Sequence, residues 1–485
     1  MISIGIDMGT TTISAVAFET KEGPERGAGV CGGAGSGCGQ SRDFCWETPC
    51  PGILREALTL PHNGFIRTPH QWERIQDPAK MMNQALRLLD QLLERYPQTA
   101  SIGLTGQMHG IVYLDREGRC ISPLYTWQDG RGDLPANGKP GEKTLAERLR
   151  EQTGVSVFSG YGLVTNLSHQ IRGTIPQGAA GICTIADCLG MLLTGRKRPL
   201  MHAGNGASLG FFEVREGCFR EDILKSLGMD SALLPEITQD FASLGTYRGI
   251  PVSVSLGDSQ ASFLGSVGMQ ENTLLVNMGT GGQISLLSEE YFEAPGIEAR
   301  PFVKGKYLLT GSSLCGGRAW AILEGFLRSY VREAGGADAP QYEIMERLAL
   351  AELAQREAGR AAPMKVVTAF SGTRTDPGLR GSVTGISEDN FTPRGLACGV
   401  LEGMARELYD LYQMILAGTG IRAQRLVASG NGLRKNAALQ KIFSQMFGAR
   451  LSPAAYQEEA ACGAAVGSVE QLKTAGGYDE NRNGL

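Results

Sequence analysis

The chain has 485 residues and a formal net charge of -4, with 42% hydrophobic and 20% charged residues. This length exceeds one ordinary hydrophobic core and predicts two or three domains. The composition is typical of a globular protein, and no run of lysine and arginine stands out, so we expect neither a nucleic-acid surface nor binding to anionic membranes.

The N-terminus reads MISIGIDMGTTTISAVAF, in which Asp7 interrupts the apolar stretch and no basic residue precedes it. A signal peptide is therefore not expected, and the absence of a run of about 18 apolar residues argues against a membrane span. Eleven cysteines are spread along the chain without a dense framework, which favours reduced thiols and a cytoplasmic location.

One group of cysteines lies in a Gly-rich stretch of about residues 22–50, and its members are Cys31, Cys38, Cys45 and Cys50. The spacing lacks the close pair of cysteines that favours zinc. We interpret the stretch as an excursion on a hairpin, with a metal site or a redox pair as the alternatives.

In chain order, Ile2, Ile4 and Ile6 alternate as in a half-buried strand, and a second strand is expected at 13–18. Asp77 and Pro78 form a typical helix start, because a capping residue is followed by proline at the first helical position. Further helices are expected near 142–153, 183–194, 221–227, 317–334, 341–358, 394–417, 434–447 and 459–473. Further strands are expected near 101–106, 111–115, 251–256, 273–277, 283–287, 365–370 and 424–429. The interleaving of strands and helices predicts an α/β fold.

The sequence also contains an internal repeat. Residues 5–14 read GIDMGTTTIS and residues 274–285 read LLVNMGTGGQIS, so each is an apolar strand, then Asp or Asn, Met-Gly-Thr, small residues and a second strand. One repeat at such a long interval predicts two halves of related architecture, not a solenoid. We expect the domains to be 1–262 and 263–485.

These two hairpins are suited to binding phosphate. A turn of Gly and Thr exposes consecutive backbone N–H groups, and concave arrays of such donors bind anions. The predicted phosphate ligands are Gly9, Thr10, Thr11, Thr12, Gly279, Thr280 and Gly281. A carboxylate beside a triphosphate needs a cation between them, so Asp7 is a candidate to hold Mg²⁺ through water. The alternative is that both are ordinary tight turns and that Asp7 caps one of them.

Two further turns carry candidate functional residues. In PVSVSLGDSQAS (251–262) an apolar strand ends at Gly257-Asp258 and a helix follows, so Asp258 is a candidate helix cap and a candidate general base, two roles that can coexist. In LVASGNGLRKNAALQ (426–440) a strand enters a Gly-rich turn that allows a flat base or a ribose to approach the backbone closely.

These segments, in this order, resemble the FGGY carbohydrate kinases over nearly the whole chain. GIDMGTTT and NMGTGG resemble the two phosphate motifs, GDSQAS the segment of the catalytic aspartate and SGNGLRKNAALQ the adenosine motif. The resemblance implies two ribonuclease-H-like domains with a cleft between them, ATP and Mg²⁺ as cofactors and Asp258 as the base. It also implies an adenosine site at Gly430, Asn431 and Asn436.

The sugar side is expected in GQMHG and TWQDGR, which resemble segments of xylulokinases and sedoheptulokinases. The implied sugar contacts are Gln107, Met108, His109, Trp127, Asp129, Arg131 and Asp258. Three of these positions have structural alternatives: Trp127 as a core residue, Asp129 with Arg131 as an ion pair, and His109 as a satisfied core histidine.

The sequence therefore predicts a kinase that phosphorylates a primary hydroxyl of a ketose. Sedoheptulose is the favoured acceptor, and D-xylulose or another sugar or polyol is the alternative. Partners other than sugar and ATP are not expected, and the chain is predicted to be a monomer or a homodimer. An ATPase of the actin or Hsp70 kind, or a sugar sensor without kinase activity, is the alternative from a different class.

Overall fold

The computed structural model describes residues 1–20, 51–136, 141–373, 376 and 378–475. Cys31, Cys38, Cys45 and Cys50 lie outside the described residues, so the interpretations of the Gly-rich stretch remain predictions.

The first half of the chain builds a mixed sheet with helices around it. Its strands are β1 (Ile2–Met8), β2 (Thr12–Thr20), β3 (Gly52–Pro61), β4 (Ile75–Gln76), β5 (Ser101–Gly106), β6 (Val112–Leu114), β7 (Leu124–Tyr125), β8 (Gly181–Cys183), β9 (Leu200–His202), β10 (Phe212–Glu213), β11 (Cys218–Phe219), β12 (Glu236–Thr238), β13 (Ser243–Tyr247), β14 (Ile250–Ser253) and β15 (Leu256–Gly257). Its helices are α1 (Pro78–Arg95), α2 (Leu145–Thr153), α3 (Gly162–Arg172), α4 (Ile185–Thr194), α5 (Ala203–Ser208), α6 (Glu221–Ser226) and α7 (Asp258–Ser266), with short 3₁₀ turns at Gly130–Asp133 and Ser231–Leu233.

The second half builds another mixed sheet. Its strands are β16 (Thr273–Met278), β17 (Gly282–Ser288), β18 (Ile297–Val303), β19 (Lys306–Ser313), β20 (Lys365–Val367), β21 (Ser382–Thr384), β22 (Arg425–Ser429) and β23 (Arg450–Pro453). Its helices are α8 (Gly317–Glu333), α9 (Tyr342–Glu357), α10 (Pro393–Thr419), α11 (Asn431–Arg434), α12 (Ala437–Phe447) and α13 (Glu459–Ala475).

The two main sheets share one strand order. In the first, β3, β2 and β1 form an antiparallel meander that continues into the parallel strands β5 and β14; in the second, β19, β17 and β16 continue into the parallel strands β22 and β23. The second sheet adds β18 outside β19. This order is ribonuclease-H-like, and it confirms both the α/β class and the two related halves indicated by the repeated Met-Gly-Thr hairpin.

Local signals in the sequence account for several element boundaries. The Asp77 side chain accepts hydrogen bonds from the backbone N–H groups of Ala79 (3.0 Å) and Lys80 (3.2 Å), and Pro78 is the first residue of α1. The helix start predicted at this position is therefore confirmed. No helix among the described residues is long and apolar enough to cross a membrane.

The last helix, α13, crosses back from the second half to the first sheet. The backbone of α13 at Ala461 and Ala464 lies so close to Gly5 of β1 and Gly103 of β5 that neither glycine has room for a Cβ atom. Ser101 and Ser468 add a buried hydroxyl–hydroxyl hydrogen bond of 2.7 Å. The predicted division at residue 262 falls inside α7, which also packs against α13, and this division remains a prediction.

Replacing Gly463 with alanine tests this close contact. A Cβ at Gly463 of α13 would overlap the Ala261 carbonyl of α7, so we expect Gly463→Ala to lower the free energy of unfolding by about 1–3 kcal/mol. The matched control is Gly325→Ala in α8, where a Cβ meets nothing within 4 Å and higher helix propensity should add up to about 1 kcal/mol. Chemical denaturation measures both, and equal effects of the two substitutions would contradict the close contact.

Candidate active site

Three parallel strands of the first sheet end side by side. Asp7 of β1 lies opposite Thr105 of β5, and Thr105 lies opposite Leu256 of β15. The next residues of the latter two strands lead into Gln107 and Asp258. Because the carboxyl ends of parallel strands meet at one edge of a sheet, Asp7, Gln107 and Asp258 come to the same edge. Sequence reasoning named all three residues, and the strand register brings them together.

The carboxyl group of Asp7 is electrostatically strained. Burial, together with the nearby carboxylates of Asp258 and Glu458, raises its pKa from the ordinary 3.8 to about 7. Its Oδ1 atom is buried and has no hydrogen-bond partner among the described residues. An orphaned carboxylate oxygen beside further carboxylates is a suitable ligand for a hard cation.

Asp258 is the first residue of α7. Gly257 occupies the N-cap position, so no side chain caps this end of the helix. Asp258 therefore does not occupy the N-cap position. Burial raises the pKa of Asp258, while the guanidinium of Arg300 and the Ser259 backbone N–H act in the opposite direction. The Asp258 residue is half-buried, between the core and solvent.

Arg300 reaches this region from the second half of the chain. It lies on β18 and donates a 3.0 Å hydrogen bond to Ser259 Oγ and a 2.8 Å hydrogen bond to Glu298. Ser259 Oγ is in turn 3.5 Å from the Met108 sulfur. A residue of the second half thus contacts the helix that carries Asp258.

The first Met-Gly-Thr turn is held by side chains of the first half. The Thr10 carbonyl accepts hydrogen bonds from Gln76 Nε2 (2.7 Å) and His62 Nε2 (2.8 Å), and the Thr10 hydroxyl accepts one from Trp127 Nε1 (3.0 Å). Gln107 donates to Gln76 at 3.0 Å and so joins the same network. Trp127 is 46% exposed, which excludes the alternative that it is a core residue.

A cavity of about 400 Å³ lies between the two halves. Its lining residues include Met108, His109, Phe158, Tyr161, Ser208, Glu213 and Arg220 from the first half, and Tyr291, Glu293, Glu298 and Arg300 from the second. The His109 ring stacks on Tyr161 at 4.7 Å, and its Nδ1 donates to the Ser208 carbonyl at 2.7 Å. Met108 and His109 are therefore the predicted sugar contacts that line the cavity.

Asp129 and Arg131 lie elsewhere. Both are buried and joined by an ion pair, with Arg131 Nη2 donating to Asp129 Oδ2 at 3.0 Å. Asp129 also accepts from the Arg74 backbone N–H at 3.0 Å, and Arg131 contacts His169. The structure supports the ion-pair alternative for these two residues and does not bring them to the cavity.

The second Met-Gly-Thr turn rests on the start of α8. The Gly279 carbonyl accepts from Gly317 N (2.9 Å) and the Thr280 carbonyl from Arg318 N (3.0 Å). A Cβ at Gly281 would lie 2.7 Å from the Ser313 carbonyl. With its carbonyls bound to α8, Gly279 and Thr280 are left on the exposed side of the turn.

The Gly-rich turn after β22 packs directly against the end of β16. Gly430 has φ +77°, and a Cβ there would lie 2.6 Å from the Asn277 side-chain oxygen and from the Met278 carbonyl. Asn431 is exposed at the start of α11. Asn436 instead caps α12, where its side chain accepts from Leu439 N at 2.9 Å. The first two predicted adenosine residues lie beside the second Met-Gly-Thr turn, and the Asn436 side chain has a structural partner.

Two adjacent glutamates connect the region of Asp7 with the Gly-rich turn after β22. Glu458 accepts a 3.0 Å hydrogen bond from Thr59 of β3 and acts on the pKa of Asp7 in the first half. Glu459 accepts a 2.7 Å hydrogen bond from Ser429 at the end of β22. The start of α13 therefore lies between the edge that carries Asp7 and the Gly-rich turn after β22.

The comparisons with known proteins agree with this arrangement. Residues 62–265 match the FGGY family of carbohydrate kinases, N-terminal domain, and residues 274–468 match its C-terminal domain. The chain belongs to the FGGY family of carbohydrate kinases. Its recognition from the sequence, and its assignment as a carbohydrate kinase, are confirmed.

Individual relatives of this FGGY kinase differ in their sugars. Human sedoheptulokinase is 26% identical over 92% of this chain and 93% of its own length, and glycerol kinase from Alcanivorax borkumensis is 25% identical over 95% and 88%. Among solved structures, xylulose kinase from Rhodospirillum rubrum has a TM-score of 0.75 at 21% identity, covering 99% of this chain and 91% of that one. Plasmodium falciparum glycerol kinase with ADP has a TM-score of 0.73 at 18% identity, covering 98% and 90%. The last two show the fold alone.

Sequence reasoning missed several residues of this FGGY kinase site. Gln76 and His62 hold the Thr10 carbonyl, and Arg300 and Tyr291 bring the second half to the cavity. The signal available for Arg300 was an arginine within the apolar strand pattern IEARPFV. The contact of Arg300 with Ser259 depends on tertiary packing and has no signal in the sequence.

Asp7→Asn tests the electrostatic strain. Because the folded pKa lies above the ordinary value of 3.8, the folded state holds an extra proton between about pH 4 and 7, and stability falls as the pH rises through that window. We expect Asp7→Asn to be more stable than the parent at pH 8 by about 2 kcal/mol, with the difference vanishing near pH 4. Urea unfolding at both pH values measures it, and a variant that is less stable at pH 8 would contradict the strain.

Proposed function

We propose that this FGGY kinase transfers the γ-phosphate of ATP to a primary hydroxyl group of a ketose, with sedoheptulose giving sedoheptulose 7-phosphate. The observation that supports the proposal is the edge where β1, β5 and β15 end, which brings Asp7 and Asp258 together, with Ser259 bonded to two residues that line the cavity between the halves. Phosphoryl transfer depends on positioning and on charge stabilisation, and a cleft between two halves supplies both.

Asp258 is proposed to accept the proton of the attacking hydroxyl. Its carboxylate stands at the start of α7, next to Ser259, which contacts Met108 and Arg300 of the cavity. Its raised pKa makes it a stronger base than an ordinary aspartate, and the guanidinium of Arg300 limits that rise.

The phosphates of ATP are proposed to lie between the two Gly-Thr turns. Thr10 to Thr12 with Gly9, and Thr280 with Gly279 and Gly281, would donate backbone N–H and hydroxyl groups to them. The adenosine would lie by Gly430 and Asn431. Because the Asn436 side chain caps α12, Asn436 would contribute to the adenosine site only through its backbone or by shaping the turn.

Mg²⁺ is proposed to be held by Asp7 through water. The orphaned Asp7 oxygen fits a cation, and no group of three or more His, Cys, Asp or Glu within the described ranges forms a protein cage for a metal. That combination suits magnesium, which keeps several waters and binds one or two carboxylates together with phosphates. When bound, the ion would neutralise charge on the phosphates.

The sugar is proposed to occupy the cavity, in contact with Met108 and His109. Gln107 and Trp127 would act by positioning the turn at Thr10, because both belong to the hydrogen-bond network that holds this turn. Asp129 and Arg131 are proposed to support the wall behind it, where Ser159 donates to the Asp129 carbonyl at 3.2 Å.

Sedoheptulose is favoured because the sedoheptulokinase similarity extends over 92% of the chain. At 26% identity this similarity does not decide the sugar, and D-xylulose remains the alternative acceptor. The cytoplasmic location and the state of monomer or homodimer remain predictions.

Asp258→Asn tests the proposed base. We expect kcat for sugar-dependent ADP formation to fall about 10²–10⁴-fold, because an amide cannot accept the proton, while ATP affinity measured by calorimetry stays within a few-fold of the parent value. Asp230→Asn is the matched control. Asp230 caps the 3₁₀ turn at Ser231–Leu233, and this variant should keep the activity of the parent.

The acceptors in the assay should include glycerol, D-xylulose, D-fructose and sedoheptulose. Substantial turnover by Asp258→Asn would refute the role of Asp258 as the base. ATP hydrolysis by the parent protein that no sugar stimulates would refute the kinase and favour the ATPase alternative.

A further inference from the structure

The Gly-rich turn after β22 has little local support. α11 comprises only four residues, Asn431–Arg434, and no side chain caps its start at Gly430. A single helical turn is unstable alone, because forming it orders several residues for one hydrogen bond. Gly430 also has a left-handed φ of +77°, and glycine loses more conformational freedom on folding than any other residue. The conformation of residues 430–434 therefore depends on contacts with other segments.

One carboxylate is bonded to both ends of this turn. Ser429, which precedes the turn, donates a 2.7 Å hydrogen bond to Glu459 Oε2. Arg434, the last residue of α11, donates to Glu459 Oε1 and forms an ion pair with it. Burial raises the pKa of Glu459, while its contacts with Ser429 and Arg434 act in the opposite direction. The two partners therefore stabilise the ionised carboxylate, and hydrogen bonds of this charge-assisted kind are the strong ones.

Glu459 is itself fixed by its surroundings. Its carbonyl lies against Gly265 of α7, where a Cβ atom would be 2.0 Å from the carbonyl oxygen. The Arg434 side chain also donates to the Tyr456 carbonyl, and the Tyr456 hydroxyl donates to the Gly52 carbonyl of β3 at 2.6 Å. The carboxylate that holds the turn is therefore anchored on α7, and its partner Arg434 is connected to the first sheet.

We propose that Ser429, Arg434 and Glu459, here named the turn clamp, are positioning residues that hold the Gly-rich turn in the conformation that binds the adenosine of ATP. This inference rests on the proposed function, which assigns the adenosine to Gly430 and Asn431. When only a fraction of the molecules has the binding conformation, the apparent affinity falls by that fraction. Release of the turn clamp therefore weakens nucleotide binding and leaves the chemical step and the sugar affinity unchanged.

Arg434→Gln tests the turn clamp, with Kd for ADP measured by calorimetry and KM for ATP and sedoheptulose measured by ADP formation. We expect Kd for ADP and KM for ATP to rise about 10-fold, while kcat and KM for sedoheptulose stay within about 2-fold. Arg434→Lys keeps a positive charge beside Glu459 and should recover part of the affinity. The matched control is Arg356→Gln, which breaks ion pairs of similar burial with Glu352 and Glu402 on α9 and α10 and should leave Kd for ADP unchanged.

A double-mutant cycle decides whether the two partners act through Glu459. Arg434→Gln should raise Kd for ADP less than about 2-fold in the Glu459→Gln background, because the charge that Arg434 pairs with is already gone. Ser429→Ala removes only one hydroxyl group and should raise Kd for ADP about 3-fold alone, which keeps the test independent of any folding defect in Arg434→Gln.

Additive effects in the cycle would mean that Arg434 acts without Glu459, and equal losses of ADP and sugar affinity would mean a general structural defect. Either result would overturn the turn clamp while leaving the kinase assignment intact. A parent protein that binds neither ADP nor ATP would instead overturn the proposed function, and this inference with it.

Discussion

The arrangement of this kinase depends on one close contact between main chains, where α13 crosses the first sheet. Gly5 and Gly103 lie directly under the α13 backbone, and Gly463 of α13 lies against Ala261 of α7. Any side chain at these glycines would push the helix away from the sheet. Glu459 at the start of α13 is bonded to Ser429 of β22, while the following turns of α13 lie on the first sheet, so α13 connects the two halves. The same packing holds α7, which begins at Asp258, against α13.

The contact also explains why the charges at the cleft are tolerated. Burial and neighbouring carboxylates raise the pKa of Asp7 to about 7, and burial raises that of Asp258, so ionising these two carboxyl groups costs free energy. The rigid packing of α13 and α7 holds these groups in place against it. Functional sites commonly carry such strain, which binding relieves, and here a hydrated cation with phosphates is the proposed relief.

Much of the fold could be predicted from patterns that act locally. The Met-Gly-Thr hairpins, the Asp77-Pro78 helix start and the turn at Gly257 are set by residues adjacent in sequence, and all three formed as predicted. α3 was missed because it is buried on nearly every side over Gly162–His169, which removes the amphipathic period. α5 was missed because Ala203–Ser208 contains two glycines and is stabilised by packing, not by propensity. In the site, residues at strand ends and the local Asp129–Arg131 ion pair were predictable, whereas the contacts from Arg300 and Gln76 depend on distant segments.

The central claim is that the cleft transfers phosphate to the terminal carbon of a ketose. The most direct measurement is phosphorus–proton correlation NMR of the product formed from ATP and sedoheptulose by the purified protein. The account predicts one phosphomonoester coupled to the two protons of a terminal CH₂ group, with ADP formed in equal amount. ADP accompanied only by inorganic phosphate, or a phosphate coupled to a single CH proton within the chain, would contradict it.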